Sequence, residues 1–189
     1  MRGARELILA ALGAAALTGC SDLERSLERA ASARVAPSAD VGRPARLLIP
    51  SIGVSTRLET LGLLPDGRLA PPRDFHNAGW WRGGPRPGQP GPAVIAGHVD
   101  SRTGPAVFAQ LVRLRRGDSI VVVDSAGRRV RFAVRAVEEH PKDAFPTQRV
   151  YGHSRRAVLR LITCSGVFDR STRKYRSNYV VFAETDAAA

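Results

Sequence analysis

The feature that most limits what this chain can fold into is a series of short apolar runs, each bounded by turn residues, with no long helical period between them. Ser119–Asp124 (SIVVVD), a Ser125-Ala126-Gly127 turn and Arg128–Val137 read as a hairpin. In its second arm Val130, Phe132 and Val134 are interleaved with Arg129, Arg131 and Arg135, the period of two that marks a strand with one wet face. Arg46–Pro50, Arg57–Leu63, Ala93–Ala96, Val158–Thr163 and Tyr179–Glu184 read as further short strands. Pro65-Asp66-Gly67 is a turn by composition. The Gly- and Pro-rich stretch Gly79–Gly91 is expected to be a loop anchored by Trp80 and Trp81. Pro105–Leu111 has room for a short helix, and Glu138–His153, with Pro141 and Pro146, reads as a long loop. Seven or eight short strands with little helix predict an all-β fold, a closed or nearly closed barrel.

With 189 residues, 43% of them apolar, the chain can bury one core without covalent staples. Its net charge of +12 is nearly all arginine, since Lys142 and Lys174 are the only lysines. Such an excess fits an anionic partner or simply a GC-rich genome. The arginines are not grouped with aromatic residues and no nucleic-acid motif is present, so a nucleic-acid partner is not expected.

The first 20 residues, MRGARELILAALGAAALTGC, carry Arg2 and Arg5, then an apolar run from Leu7 to Leu17. That run is short for a membrane span, which needs about 20 apolar residues, and fits a signal-peptide core. It ends in Leu17-Thr18-Gly19-Cys20, which resembles the lipobox of bacterial lipoproteins. The resemblance implies cleavage before Cys20, lipid attachment to its sulfur, and a domain held on the extracytoplasmic face of the plasma membrane. An uncleaved signal anchor would export the domain equally. Residues 21–44 are charged and poor in large apolar side chains, as expected of a flexible tether. The organisation expected is therefore a leader at 1–20, a tether at 21–44 and one domain at 45–189.

Cys20 and Cys164 are the two cysteines. With Cys20 assigned to lipid, Cys164 is a lone thiol in an exported domain, placed where Val158–Thr163 gives way to Ser165-Gly166. A thiol at a strand's end beside small residues is open to substrate, whereas a structural cysteine belongs on an apolar face. His98 ends the Val94–Gly97 run in the same manner, while His76, His140 and His153 lie in polar loops. A thiolate attacking an amide also needs a donor for the oxyanion that forms, and some designs use an arginine. Arg170, Arg173 and Arg176 follow Cys164 closely, and Arg176 leads into the strand Tyr179–Phe182, with Arg173 in reserve. No H-E-x-x-H, cysteine cluster, calcium-type loop, G-x-S-x-G or Walker loop appears, so no metal or cofactor is expected.

Three pieces in this order, Ala93-Val94-Ile95-Ala96-Gly97-His98, Leu159-Arg160-Leu161-Ile162-Thr163-Cys164 and Tyr175-Arg176-Ser177-Asn178-Tyr179-Val180-Val181, resemble the sortase family from about Arg46 onward. Gly79-Trp80-Trp81, Gly97-His98-Val99-Asp100-Ser101 and Pro141-Lys142-Asp143-Ala144-Phe145-Pro146 look like the class F sortases of actinobacteria. The resemblance implies an eight-stranded closed barrel with one or two short helices. It also implies a cysteine transpeptidase in which His98, Cys164 and Arg176 are catalytic and Thr163 and Asp100 meet substrate. The expected partners are secreted proteins bearing an LPxTG-like sorting signal and an amine of a peptidoglycan precursor. Ser165 and the Ser171-Thr172-Arg173-Lys174 turn depart from the class pattern, and Asn178 falls where some other sortase classes carry their arginine. Two other readings stay open at this point: a different cell-wall thiol amidase or transpeptidase, and a binding module on the same barrel without catalysis.

Overall fold

The structure, a computed structural model, describes residues 41–185. The expected leader, its lipid site Cys20 and most of the tether lie outside the described residues. The strands are β1 (Pro44–Ile49), β2 (Val54–Leu61), β3 (Ala78–Trp81), β4 (Gly91–Gly97), β5 (Asp100–Ser101), β6 (Gly104–Pro105), β7 (Ser119–Asp124), β8 (Arg129–Pro141), β9 (Ala157–Asp169) and β10 (Lys174–Thr185). Eight of them close into a barrel in the order β1-β2-β3-β4-β9-β10-β8-β7, with β5 and β6 as a separate small pair. Most neighbours are antiparallel, but β2–β3 and β4–β9 run parallel. The all-β closed barrel expected from the strand pattern is therefore the fold observed.

Alternation builds two cores. Interior-facing Leu47, Ile49, Ile95, Ile120, Phe132, Val134, Leu159, Leu161 and Val181 fill the barrel, with Phe108 and Leu111 among them. The opposite faces of β4, β9 and β10 would be wet in a simple barrel, yet Val94, Ile162, Val180 and Phe182 form a second buried cluster there. Helix α1 (Thr147–Tyr151) covers it, with Val150 fully buried against it. Burying that side chain is worth roughly 1.5–3 kcal/mol. Arg149 fixes the helix by two bonds to Glu138, at 2.5 and 2.6 Å, and its guanidinium lies over the Phe182 ring.

Three local expectations differ from the structure, each for a backbone reason. Ala78–Trp81 is a strand rather than loop, because Gly79 lets the chain lie against Leu61; a Cβ there would meet that side chain at 2.5 Å. The segment after Pro105 is not helical until a 3-10 turn at Leu111–Arg113. The Ala106 and Phe108 amides instead donate to the carbonyls of Val99 and His98. The front of the expected loop at Glu138–His153 continues β8 as far as Pro141, paired through Pro141↔Ser177 with β10, and α1 occupies part of the rest.

Candidate active site

Cys164 lies inside β9, not at its end, since the strand runs on to Asp169. What makes it accessible is its side of the sheet. Thr163 and Ser165 on either side of it are 3% and 4% exposed and share the inward parity of Leu161, while Cys164 faces outward, half-buried, with a free thiol. An apolar strand can thus present a nucleophile in mid-run, because successive side chains take opposite faces.

His98 arrives on the same face. β4 and β9 are parallel, and their last registered pair is Ala96↔Ile162. Continuing that register by two residues sets His98 level with Cys164, on the parity of Ala96 and Ile162. On the other side of β9, antiparallel β10 places Asn178 directly opposite Cys164. His98, directly after β4, and Asn178, on β10, thus flank Cys164 from its two sides.

These residues line a groove of about 760 Å³. The inner wall is Trp81, Ile162 and Thr163, one side is Phe145 and Tyr151, and the other is the segment Leu63–Pro72. That segment folds back on itself through the Leu63↔Leu69 bridge and the bond from the Leu64 amide to the Arg68 carbonyl. Leu63 and Leu64 are exposed, so the groove has an apolar flank. The Thr163 Oγ1 atom is buried on the inward side of β9 and without a hydrogen-bond partner among the described residues.

The imidazole is oriented from the segment between β2 and β3. Its Nε2 lies 2.9 Å from the Pro72 carbonyl and its ring centroid 4.5 Å from that of Phe75. A carbonyl only accepts, so Nε2 carries the proton in this bond, and in the neutral ring Nδ1 is the basic nitrogen. Glu59 steadies the chain just beyond, taking bonds from the Arg73 and Asp74 amides and the Asn77 side chain. Gly97 admits His98 to its place, because a Cβ there would stand 2.5 Å from the Phe108 ring.

The remaining residues expected at the site divide. Arg176 is exposed and does not line the groove; its guanidinium lies 3.5 Å from Asp169. It stands at a bulge, where β10 supplies one residue between Tyr175 and Ser177 against two on β9, Gly166 and Val167. Gly166 takes the left-handed conformation at φ 76°, which an L side chain resists. Asp169 is held down to about 2 by the Ser171 hydroxyl and the Thr172 and Ser171 amides. Asp100 also lies outside the groove lining and accepts a hydrogen bond from the Tyr175 hydroxyl. That bond is the main reason the phenol is pushed up to about 12.

Three groove residues carried no assigned role in the sequence. Lys142 places Nζ 3.6 Å from the Cys164 sulfur. Its signal was there, as one of two lysines among arginines. Arg68 lines the opposite side, paired with Asp66 at 2.7 Å. Asn178 was noted only for the arginine it replaces. Among the described residues no group of three or more His, Cys, Asp and Glu side chains is placed to hold a metal ion.

Solved structures share this architecture. Sortase C1 from Streptococcus agalactiae matches with a TM-score of 0.60 at 15% identity, over 92% of this chain and 79% of that one. A lid mutant of sortase A from Corynebacterium diphtheriae matches at 0.59 and 19%, over 80% and 74%. Sortase C-1 from Actinomyces oris matches at 0.56 and 21%, over 88% and 85%. No curated protein matches the chain. The family profile of the sortase domain matches residues 47–186. That span takes in the whole barrel from Leu47 onward, and the chain belongs to the sortase family.

Proposed function

We propose that the protein is a cysteine transpeptidase that cleaves an LPxTG-like sorting signal and joins the shortened protein to a cell-wall amine. The observation that carries this reading is that His98, directly after β4, and Cys164, on β9, line one groove with an apolar flank. Cys164 thiolate adds to the carbonyl carbon of the Thr–Gly-type amide. The tetrahedral intermediate collapses with cleavage of the C–N bond, the amine leaves with a proton from His98, and a thioester remains on Cys164. An incoming amine then adds to the thioester and gives its proton to His98. The new amide departs and the thiolate is restored.

Oxyanion stabilisation is assigned to Arg176. It shares strand and face with Asn178, two residues from the position opposite Cys164, and its contact with Asp169 is long and exposed. Turning away from Asp169 would bring it along the strand toward the sulfur. Lys142 supplies a second positive charge beside the thiolate. Thr163 meets the substrate through its backbone beside Cys164, and the Leu63–Leu64 flank takes the signal's apolar side chain. Asp100 serves the site indirectly, by holding Tyr175 between the chain after His98 and the strand bearing Arg176. In the cell the domain is assigned to the outer face of the plasma membrane, anchored through Cys20, where exported clients and wall precursors meet.

Incubation with a sorting-signal peptide and an amine tests the reading. Wild-type protein should form both the cleaved product and the new amide, and Cys164→Ala should form neither. Equal product from both would end it.

A further inference from the structure

Across the barrel from Cys164, the start of β1 forms a second cleft of about 470 Å³, lined by Arg43, Pro44, Ala45, Arg46, Arg57, Leu58 and Ser125. Three of these carry guanidinium groups and none carries a carboxylate. The register extends the charge beyond the cleft. Arg46 is opposite Arg57 on β2 and opposite Val123 on β7, and Val123 is opposite Arg129 on β8. Arg131 follows on the same face, opposite Val121. These side chains share the outward parity of a sheet whose inward residues, such as Leu47 and Val122, are in the core.

Like charges gathered this way repel one another unless something offsets them. Among the described residues Arg43, Arg46, Arg57, Arg129 and Arg131 form no ion pair that would do so. Arg46 donates only to the Ser55 hydroxyl. Among the described residues, Asp124 is engaged by Arg128 and the Gly42 and Ala126 amides, and Glu59 by the chain after Pro72.

We propose that this cleft binds the phosphodiester groups of anionic lipids, seating the β1–β7 side of the barrel on the membrane. Guanidinium groups match phosphate oxygens in pairs, and the Ser125 hydroxyl adds a neutral donor. The cleft has no aromatic side chain on which a nucleic-acid base would stack. The chain enters the barrel here, at β1, after the 21–44 stretch that follows the Leu7–Leu17 run read as membrane-directed. In the closed strand order β1 and β9 are four steps apart by either route. A barrel seated on β1 and β7 therefore turns the Cys164 groove away from the lipid, toward exported clients.

The full chain is tested for binding to vesicles containing phosphatidylglycerol, beside vesicles of phosphatidylcholine alone. The leader is common to every variant, so differences between variants report the barrel. Arg43→Ser/Arg46→Ser/Arg57→Ser should bind phosphatidylglycerol vesicles roughly a hundredfold more weakly, at about fivefold per arginine. It should also lose most of the salt dependence shown by the wild type. Arg113→Ser/Arg115→Ser/Arg116→Ser removes as many exposed charges elsewhere and should bind within a few-fold of wild type. Circular dichroism melting confirms that each variant is folded; should the triple variant at the cleft fail to fold, Arg46→Ser/Arg57→Ser is read instead. Equal losses from the two triple variants would overturn the proposal, as would retained binding by the folded cleft variant. Displacement by soluble glycerol phosphate without preference among vesicles, or preference for an oligonucleotide over the vesicles, would also overturn it.

Discussion

Asn178 and Cys164 stand directly opposite each other on β10 and β9, so the amide side chain shares the outward face of the thiol. Arg176 has the same parity two residues earlier, beyond the bulge at Gly166–Val167. A guanidinium placed at either position would lie on the groove side of β10. Of the two positions, Asn178 lines the groove and Arg176 does not.

Arg176→Ala should lower kcat by about 10²–10³-fold, the usual loss for one oxyanion donor, with a smaller change in KM. Adding Asn178→Arg to that variant should recover part of the loss, because the new guanidinium starts opposite the sulfur. Steady-state kinetics of the two variants decide it; unchanged kcat in Arg176→Ala would remove that residue from the chemistry.

Lys142 places its ammonium 3.6 Å from the sulfur. Lys142→Met should slow alkylation of Cys164 by iodoacetamide at neutral pH by about fivefold, the effect of one unit charge at this separation in a water-like medium. Lys142→Arg should keep most of the wild-type rate. Both are followed by mass spectrometry over time, and equal rates in all three proteins would show that the ammonium does not act on the thiol.

Tyr175 and Asp169 set opposite ends of the pH range. The phenol is pushed up from 10 to about 12, foremost by its bond to Asp100. Its stabilising bond is fully present below pH 10 and is lost as pH rises toward 12. The melting-temperature difference between wild type and Tyr175→Phe should therefore be level up to pH 10 and vanish above it. Asp169, lowered from 3.8 to about 2, stabilises above pH 3.8, and this is lost as pH falls to 2. Asp169→Ala should lack that acid limb. A difference that persists undiminished at either extreme would contradict the assignment.

Gly97→Ala should destabilise the fold by about 1–3 kcal/mol, as overpacking does, because its Cβ would stand 2.5 Å from the Phe108 ring. It should also reduce kcat, since the chain must shift directly before His98. Adding Phe108→Leu should restore stability in part, read by chemical denaturation.

Much of this molecule is legible in the sequence because a barrel strand writes its geometry in a period of two. The alternation in Arg129–Arg135 gives both the strand and its wet face, and the runs before His98 and Cys164 give two of the strands that bear the groove. In the sequence Cys164 reads as the end of its strand, because Ser165-Gly166 reads as a break. The ladder runs on to Asp169 because the β9–β10 hairpin resumes its pairing beyond the bulge, at Tyr175↔Phe168 and Lys174↔Asp169, which the Ser165-Gly166 composition does not encode. Ala78–Trp81 was hidden in the same way, its glycine needed for close packing against Leu61 rather than for a turn. Lys142 and Pro72 reach the groove from loops distant in sequence, where no periodicity announces them. Arg170, Arg173 and Arg176 all follow Cys164 closely and spacing alone does not choose among them; that the Arg176 guanidinium turns toward Asp169 is a property of the folded surface.

The central claim is that Cys164 alone carries the acyl group. Wild-type protein is mixed with a sorting-signal peptide in the absence of amine, quenched in acid and mapped by mass spectrometry. The account predicts a thioester mass on the peptide containing Cys164, removed by hydroxylamine and absent from Cys164→Ala, and formed more slowly in His98→Ala. An adduct on any other residue, or cleavage of the signal by Cys164→Ala, would contradict it.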